Sequence, residues 1–245
     1  MGIISFFQER LIFKPEKLAA NFKYEFDIPF EEKYFYPGEG VVLNALHFKV
    51  KDSKGLVFYN HGTIGNLTNW GLAAQRYIEL GYDFLIYDYR TYGKSAGKLN
   101  QESLYADAMF IYNEMKKEYS EDKITVLGRS IGTGIASYVA SKNNPKRLIL
   151  ESPYFNMIDV VKHLYPYVPT FLIRYDFRTD LHLQTVKCPI YLFHGTADKL
   201  VYYNSSVKLK ELVKEKAELI TIEGGGHDHL GSFDVYRNKM KEILY

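Results

Sequence analysis

Short, nearly all-apolar runs alternate with amphipathic stretches along most of the chain. Such runs are typical of parallel strands covered on both faces, and the stretches between them carry the period of helices. This alternation, regular from Leu56 onward, predicts an α/β fold with a doubly wound, mostly parallel sheet of about eight strands. Strands are expected at Val41–Val50, Leu56–Asn60, Phe84–Tyr87, Ile124–Leu127, Arg147–Leu150, Ile190–Phe193 and Glu218–Ile222. Helices are expected at Thr68–Leu80, Ser103–Tyr119, Ile131–Lys142, Ser205–Glu215 and Phe233–Leu244.

One segment, Tyr154–Val186, interrupts the alternation. It contains Pro166 and Pro169, is dense in aromatic side chains and histidines, and has no clear strand pattern. We expect a short helical cap insertion over one edge of the sheet, within a single domain that spans residues 1–245. Its rings either line an apolar acyl pocket or attach the cap to the body: Tyr154, Phe155, Tyr165, Tyr167, Phe171, Tyr175 and Phe177.

The N-terminal segment is unusually apolar for a chain end, although Gln8, Glu9 and Arg10 interrupt the run. It lacks the basic start and small-residue cleavage site of a signal peptide. We expect a helix packed on its own domain; the alternatives are a membrane-surface helix or the remnant of a trimmed anchor. No run approaches the roughly 18 apolar residues that span a bilayer, so we expect a cytoplasmic or peripherally membrane-associated protein. The apolar positions are Ile3, Ile4, Phe6, Phe7, Leu11, Ile12 and Phe13.

Composition and charge argue against several classes of protein for this chain. The 245 residues suit one large α/β domain, and 47% apolar with 24% charged residues is ordinary for a globular chain. The net charge of +2 and the lack of a long basic run argue against nucleic acid as a partner. Cys188 is the single cysteine, so an internal disulfide is excluded.

A candidate nucleophile lies in Gly128-Arg129-Ser130-Ile131-Gly132, a G-x-S-x-G sequence. It follows a predicted buried strand and opens a predicted helix, which is the setting of a nucleophile elbow. The glycines allow a tight turn and a close approach of helix to strand, where a Cβ atom would clash. Ser130 is therefore the expected catalytic nucleophile.

A serine nucleophile needs a base, and histidine has the appropriate pKa. His227 follows three glycines in the loop after the last predicted strand, and such a loop can carry an imidazole over the carboxyl edge of the sheet. We expect His227 to be the base, with His229 as the alternative. The other five histidines lie in a strand, in loops that they brace, or in the insertion.

The base needs a carboxylate to orient it, and Asp198 lies in the loop after the strand Ile190–Phe193. The competing acids are Glu151, one strand earlier, and Asp228, next to the base. With Asp198 the chain order is serine, aspartate, histidine, and each residue follows a strand at its carboxyl end.

The oxyanion hole is expected to use two backbone amides. The first belongs to Ile131, directly after the nucleophile, where the helix N-terminus supplies free amides. The second is assigned by position to Thr63, in the loop after the strand Leu56–Asn60.

Together these residues make the chain resemble the α/β-hydrolase fold enzymes. It most resembles the subgroup of small hydrolases that includes the Bem46-like proteins and the monoacylglycerol-lipase-like and serine-aminopeptidase-like relatives. The resemblance covers nearly the whole chain through "FYNHGTIGN", "YDYRTYGKSAG", "GRSIGTG", "FHGTADKLV" and "GGGHDHL", in that order. It implies that Asp88 and Arg90 brace the loop beside the elbow and are not catalytic.

The expected activity is hydrolysis of a hydrophobic ester or thioester, without metal or other cofactor, through an acyl-enzyme on Ser130. The expected partner is a small hydrophobic acyl substrate, with membrane-surface contact through the N-terminal segment as an addition. The alternatives are hydrolysis of an amide or peptide, of the serine-aminopeptidase type, and non-catalytic ligand binding on a hydrolase scaffold.

Overall fold

The computed structural model describes residues 3–245, with side chains from Gln8 onward. Within this part of the chain the centre of the molecule is an eight-stranded sheet in the spatial order β1-β2-β4-β3-β5-β6-β7-β8. All strands are parallel except β2, which is antiparallel to both of its neighbours. The expected α/β class is therefore confirmed. The strands of this sheet are β1 Phe30–Phe35, β2 Leu43–Phe48, β3 Leu56–Asn60, β4 Asp83–Tyr87, β5 Ile124–Arg129, β6 Arg147–Glu151, β7 Ile190–Gly195 and β8 Ala217–Ile222. A separate parallel pair joins Lys14–Pro15 to Ile64–Gly65.

Helices cover both faces of the sheet. The expected helix Thr68–Leu80 is divided into α2 and α3 by a 3-10 turn at Gly71–Ala73. At that turn the backbone comes so close to Phe26 that a Cβ on Gly71 would lie 2.5 Å from its ring. The helices are α1 Ile3–Ile12, α2 Leu67–Trp70, α3 Ala74–Glu79, α4 Gln101–Met115, α5 Gly132–Lys142, α6 Met157–Leu164, α7 Thr179–Thr185, α8 Asn204–Val213 and α9 Asp234–Leu244.

Two apolar layers hold the sheet between the helices. Because successive strand residues point to opposite faces, Phe58 belongs to the layer under α4 and α5, whereas Tyr59 belongs to the layer under α3 and α9. Residues on both sides are fully enclosed, such as Tyr112 in the first layer and Tyr77 in the second. The strands that carry the functional loops are thus fixed on both faces.

Strand β1 was missed by the sequence analysis. Its sequence, FEEKYF, is half charged, and its side chains are at most partly buried. It pairs only with β2, at the edge of the sheet, where charged residues discourage pairing with another chain. An edge strand of this kind lacks the continuous apolar run that identified the others.

The segment between β6 and β7 contains α6, a 3-10 turn at Thr170–Leu172 and α7. Helix α7 packs against α5 and its Leu183 lies in the core, so this part of the expected insertion covers the sheet as a body helix. The expected cap rings separate into two groups. Tyr154, Phe155, Tyr175 and Phe177 are buried or pack on the core, whereas Tyr165, Tyr167 and Phe171 are 60%, 96% and 85% exposed.

Helix α1 lies against the end of this segment. Gln8 donates to the Leu172 carbonyl (2.5 Å) and accepts from the Arg174 amide (2.9 Å), while Tyr175 donates to Glu9 (2.7 Å). The side chains of Ile3, Ile4, Phe6 and Phe7 lie outside the described part of the chain. No helix within residues 3–245 combines the length and apolar character needed to cross a bilayer.

We expect Gly132→Ala to lower the free energy of unfolding by about 2 to 3 kcal/mol. A Cβ at this position would lie 2.1 Å from the Asn60 carbonyl oxygen, so α5 and β3 would have to separate. Urea unfolding measures the change. Gly38→Ala is the matched control, because no atom lies within 4 Å of the Cβ it adds. Equal stability of the two variants would contradict this account of the packing.

Candidate active site

Ser130 lies on the turn between β5 and α5. Its φ of +52° is in the left-handed region, which a residue with a side chain rarely adopts. The turn is held because the Ser130 amide donates to the Glu151 carbonyl (3.0 Å) and the Ser130 carbonyl accepts from the Thr133 amide (2.9 Å). A Cβ on Gly128 would lie 2.3 Å from the Gly132 carbonyl oxygen, so both glycines are needed where the sequence analysis expected them. The serine hydroxyl is thereby presented on a tight elbow.

His227 lies beside the serine, on the loop after β8. Its Nε2 is 3.0 Å from the Ser130 Oγ, and its Nδ1 is 2.8 Å from Asp198 Oδ2. The structure therefore brings the three predicted residues into one hydrogen-bonded chain. Asp198 follows β7, so all three side chains come from loops at the carboxyl edge of the sheet.

Asp198 is enclosed by hydrogen-bond donors. Its Oδ1 accepts from the amides of Leu200 and Val201, both at 2.9 Å. Its Oδ2 lies 3.3 Å from Nε2 of His194, in addition to the bond with His227. Burial alone would raise the pKa of this carboxyl, but the hydrogen bonds from His194, His227 and the Val201 amide hold it well below its ordinary range.

The ionised Asp198 determines how the histidine can act. A carboxylate accepts hydrogen bonds and cannot donate them, so Nδ1 of His227 carries the proton in that contact. Nε2 is then left as the acceptor for the Ser130 hydroxyl. This arrangement can remove a proton from the serine as it attacks an electrophile.

His194 holds the Asp198 loop, as expected for a histidine that braces a loop. Its Nε2 is 2.8 Å from the Val201 carbonyl, to which it donates, and its Nδ1 is 2.7 Å from Ser206 Oγ. The ring is fully buried. His194 therefore holds the loop after β7, which carries Asp198 and the amides that donate to it.

The two expected oxyanion donors lie beside the elbow. Neither the Ile131 amide nor the Thr63 amide is engaged in a hydrogen bond recorded for the described residues. Thr63 is held in place through its carbonyl, which accepts hydrogen bonds from the Lys14 amide (3.0 Å) and the Tyr92 hydroxyl (2.6 Å). A Cβ on Gly62 would lie 3.9 Å from the Ser130 Cβ, so this loop borders the nucleophile.

The alternatives from the sequence analysis lie elsewhere. His229 is exposed, in a left-handed conformation at the start of the 3-10 turn Leu230–Ser232. Glu151 accepts a hydrogen bond from the Tyr236 hydroxyl in the layer under α9. Asp228 pairs with Arg129 at 2.5 Å. No recorded contact within the described residues joins Glu151 or Asp228 to the imidazole of His227.

Arg90 and Asp88 brace neighbouring loops, as the resemblance implied. Arg90 forms a bidentate pair with Asp107 through bonds of 2.7 and 2.8 Å. The buried Asp88 accepts from the Leu67 amide at 3.3 Å. Among the side chains from Gln8 onward, no group of three or more histidine, cysteine, aspartate or glutamate residues could hold a metal ion.

A cleft of about 490 Å³ lies between the loop after β3 and the loop after β8. It is lined by Arg129 and Asp228, the chain neighbours of Ser130 and His227, and not by Ser130, Asp198 or His227 themselves. None of the seven cap rings lines it. The side chains around it combine apolar surface with charge, and the principal ones are Tyr59, Ile64, Trp70, Arg76, Arg129, Glu151, Asp228, His229 and Leu230. The sequence analysis missed Arg129 and Trp70, although Arg129 directly precedes Ser130.

A mostly parallel eight-stranded sheet with a serine elbow after β5, an aspartate after β7 and a histidine after β8 defines an α/β-hydrolase. The sequence profile of the family described as "Serine aminopeptidase, S33" matches residues 51–175, just over half of the chain. The chain belongs to this family of hydrolases.

Curated relatives share about a quarter of their residues with the chain. The lysophosphatidylserine lipase of Danio rerio is 28% identical over 248 residues, which cover 84% of this chain and 63% of that protein. The α/β-hydrolase domain-containing protein aho-3 of Caenorhabditis elegans is 27% identical over 195 residues, covering 77% and 57%. The chain thus spans about 57% to 63% of the length of these relatives.

Solved structures share the fold at lower identity. An esterase of Pyrococcus furiosus superposes with a TM-score of 0.70 at 19% identity, over 95% of both chains. A monoacylglycerol lipase of Paleococcus ferrophilus has a TM-score of 0.64 at 18% identity, over 82% of this chain and 98% of that one.

Asp198→Asn should weaken the dependence of stability on acid pH. Because folding lowers the Asp198 pKa, the carboxylate stabilises the fold above the ordinary carboxyl pKa of about 4. That contribution is lost as the pH falls toward the lowered folded value. The native protein should therefore exceed Asp198→Asn in free energy of unfolding by more at about pH 6 than at about pH 3. Urea unfolding at both pH values measures the difference, and an equal gap at both would contradict the assigned shift.

Proposed function

We propose that the protein is a serine hydrolase that cleaves a hydrophobic carboxylic ester or thioester through an acyl-enzyme on Ser130. The observation that carries this proposal is the continuous chain of contacts from Ser130 Oγ to His227 (3.0 Å) and from His227 to Asp198 (2.8 Å). Nucleophile, base and orienting acid are the three roles that acyl transfer by a serine requires.

In the first half of the reaction, Ser130 Oγ forms a bond to the substrate carbonyl carbon and its proton passes to Nε2 of His227. The amides of Ile131 and Thr63 stabilise the resulting oxyanion, each by about 3 kcal/mol. The carbonyl re-forms as the bond to the leaving oxygen or sulfur breaks, and His227 returns the proton to that atom. Asp198 stabilises the imidazolium between these transfers.

In the second half, water hydrolyses the acyl-serine. His227 removes a proton from the water as its oxygen attacks the ester carbon, and then protonates Ser130 Oγ as the acid leaves. The protein ends in its starting state, and the sequence of steps uses no metal or other cofactor.

The part of the segment 154–186 that precedes α7 is proposed as the insertion of a single hydrolase domain, with its buried rings attaching it to the body.

The proposal favours esters because several similar proteins carry names of ester-cleaving enzymes: a lysophosphatidylserine lipase, an esterase and a monoacylglycerol lipase. The apolar part of the cleft, formed by Ile64, Trp70 and Leu230, would accept a hydrocarbon group. The family's peptidase description makes amide hydrolysis the second activity to test. A panel of p-nitrophenyl esters of increasing chain length, with an acyl-CoA and an aminopeptidase substrate, distinguishes ester, thioester and amide hydrolysis.

A fluorophosphonate probe should label the native protein, and Ser130→Ala should abolish both labelling and ester turnover. His227→Ala should lower kcat by about 10⁴-fold or more, because the base is lost. His229→Ala is the comparison variant and should keep far more activity than His227→Ala, since His229 lines the cleft but lies outside the hydrogen-bonded chain. Absence of labelling in the native protein would instead favour a non-catalytic binding protein. Reversed effects of the two histidine variants would contradict the assignment of the base.

We also propose that the protein contacts a membrane surface through the segment 160–175 together with the adjoining α1. Tyr165, Tyr167 and Phe171 are exposed within this segment, next to the half-exposed Val168. Residues 160–175 include the exposed Lys162 and Arg174 and no acidic residue, while the acids of the surrounding surface are Glu9 on α1 and the flanking Asp159 and Asp176. Exposed rings flanked by cations suit the interface of a membrane that contains anionic lipid.

Vesicle sedimentation tests this surface. The native protein should bind vesicles of equal parts phosphatidylglycerol and phosphatidylcholine more strongly than vesicles of phosphatidylcholine alone. The double variant Tyr167→Ser/Phe171→Ser should lose most of that binding, because two rings no longer insert. Tyr36→Ser, at an exposed tyrosine beside the edge strand β1, is the matched control. Equal binding by both variants would contradict the proposed surface.

A further inference from the structure

Arg129 occupies the variable position of the elbow sequence between Gly128 and the nucleophile. As successive strand residues alternate, Gly128 faces α5 and the Arg129 side chain extends on the opposite side of the sheet. Only 19% of that side chain is exposed. A guanidinium in this position belongs to the residue next to Ser130 and lies in the cleft beside residues 223–229, the loop after β8 that carries His227 and is here called the histidine loop.

The guanidinium contacts the histidine loop at two points. Its Nη2 donates to the Asp228 carboxylate at 2.5 Å and to the His227 carbonyl at 3.4 Å. These acceptors belong to consecutive residues, so one side chain holds the backbone on which the imidazole is mounted. Arginine suits this task because its planar group has several donors in fixed directions.

The histidine loop has few other attachments. Among the described residues, no atom lies within 4 Å of the position that a Cβ on Gly226 would occupy, so no side chain packs against the loop on that side. Before this point the loop is attached to the loop after β7, where the Ala197 amide donates to the Gly225 carbonyl (2.9 Å). Between Gly226 and His229, two groups form the hydrogen bonds to distant parts of the described chain. The His227 ring bonds to Ser130 and Asp198, and Arg129 donates to the His227 carbonyl and the Asp228 carboxylate.

The same guanidinium lies over the ring of Trp70, at 5.1 Å from the ring centroid. The Trp70 indole donates to the Ile64 carbonyl (2.7 Å), and a Cβ on Gly62 would lie 3.0 Å from the Trp70 ring. Trp70 therefore braces the loop that carries Thr63, the proposed second oxyanion donor. Through Trp70, Arg129 is packed against the oxyanion loop as well as against the histidine loop.

We propose that Arg129 is a positioning residue that fixes the histidine loop and the oxyanion loop relative to the serine elbow. The inference rests on the proposed hydrolase function and names no new reacting group. The Arg129 guanidinium connects three loops that come from three different strands. Two of them, the histidine loop and the oxyanion loop, contain glycines, which contribute no side chains of their own to hold the loop. A displacement of about 1 Å in such a site can cost about 10²-fold in rate.

The test compares Arg129→Gln, Asp228→Asn and the double variant with the native protein on a soluble p-nitrophenyl ester. Arg129→Gln should lower kcat by about 10- to 100-fold and change KM by less than about threefold. Asp228→Asn weakens one contact and leaves the Trp70 stacking, so its loss should be smaller. The double variant should be no worse than Arg129→Gln alone, because both changes act on one contact.

Hydrogen–deuterium exchange of the peptide that contains residues 224–231 provides a readout that does not depend on turnover. Exchange should be faster in Arg129→Gln and in Asp228→Asn than in the native protein. Asp234→Asn is the matched control, because Asp234 is an exposed carboxylate paired with Arg237 at 2.6 Å, outside the histidine loop. Asp228 is 67% exposed, so its variant should fold even if Arg129→Gln does not.

The outcomes separate the two proposals. A native protein that no fluorophosphonate labels overturns the hydrolase function, and the exchange measurement still decides whether Arg129 holds the loop. A labelled native protein whose Arg129→Gln variant keeps kcat within about twofold and exchanges at the native rate overturns the positioning role. Additive losses in the double variant would likewise show that Arg129 does not act through Asp228.

Discussion

The geometry of the candidate site depends on how closely the first turn of α5 approaches the end of β3. At Gly132 the two backbones are separated by less than the size of a methyl group, since a Cβ there would lie 2.1 Å from the Asn60 carbonyl oxygen. This contact forces the chain to turn within very few residues after β5. Ser130 therefore has a positive φ, and its hydroxyl points away from the sheet toward the loops after β7 and β8. The cost of this strained conformation is offset by the packed layers on both faces of the strands.

The glycines in the loops at the edge of the sheet allow backbones to approach closely, but they leave those loops with few side chains to hold them. Glycines let the backbone of the loop after β8 pass close to β7, where a Cβ on Gly195 would lie 2.0 Å from the Gly225 carbonyl oxygen. The same residues give the loop no side chains with which to hold itself in place. The imidazole must therefore be held by side chains on other elements. Asp198 contacts the His227 ring, and Arg129 contacts the His227 carbonyl.

The sequence was informative where one residue type has one physical use. Seven of the eight strands of the central sheet were apparent as alternating or continuous apolar patterns, and the close placement of Ser130, His227 and Asp198 was expected from strand ends, glycine spacing and chain order. It was uninformative where the outcome depends on a partner distant in sequence. Asp228 was weighed only as an alternative acid, since nothing local indicates that it pairs with Arg129, 99 positions earlier. Strand β1 was missed because a charged edge strand needs only its backbone to pair with β2.

The aromatic composition of the segment 154–186 did not predict where the cleft lies. A cluster of seven aromatic residues suggests an apolar pocket, yet four of these rings are buried or pack on the core and the other three are exposed. The cleft lies instead between the loops after β3 and β8, on the Trp70 and Arg129 side, and reaches the site through Arg129 and Asp228, the neighbours of Ser130 and His227. If that cleft receives the substrate, selectivity depends on the same side chains that hold the loops in place. Changes there would then alter substrate choice and rate together, since a bulkier or smaller group at Trp70 both reshapes the cleft and moves the oxyanion loop.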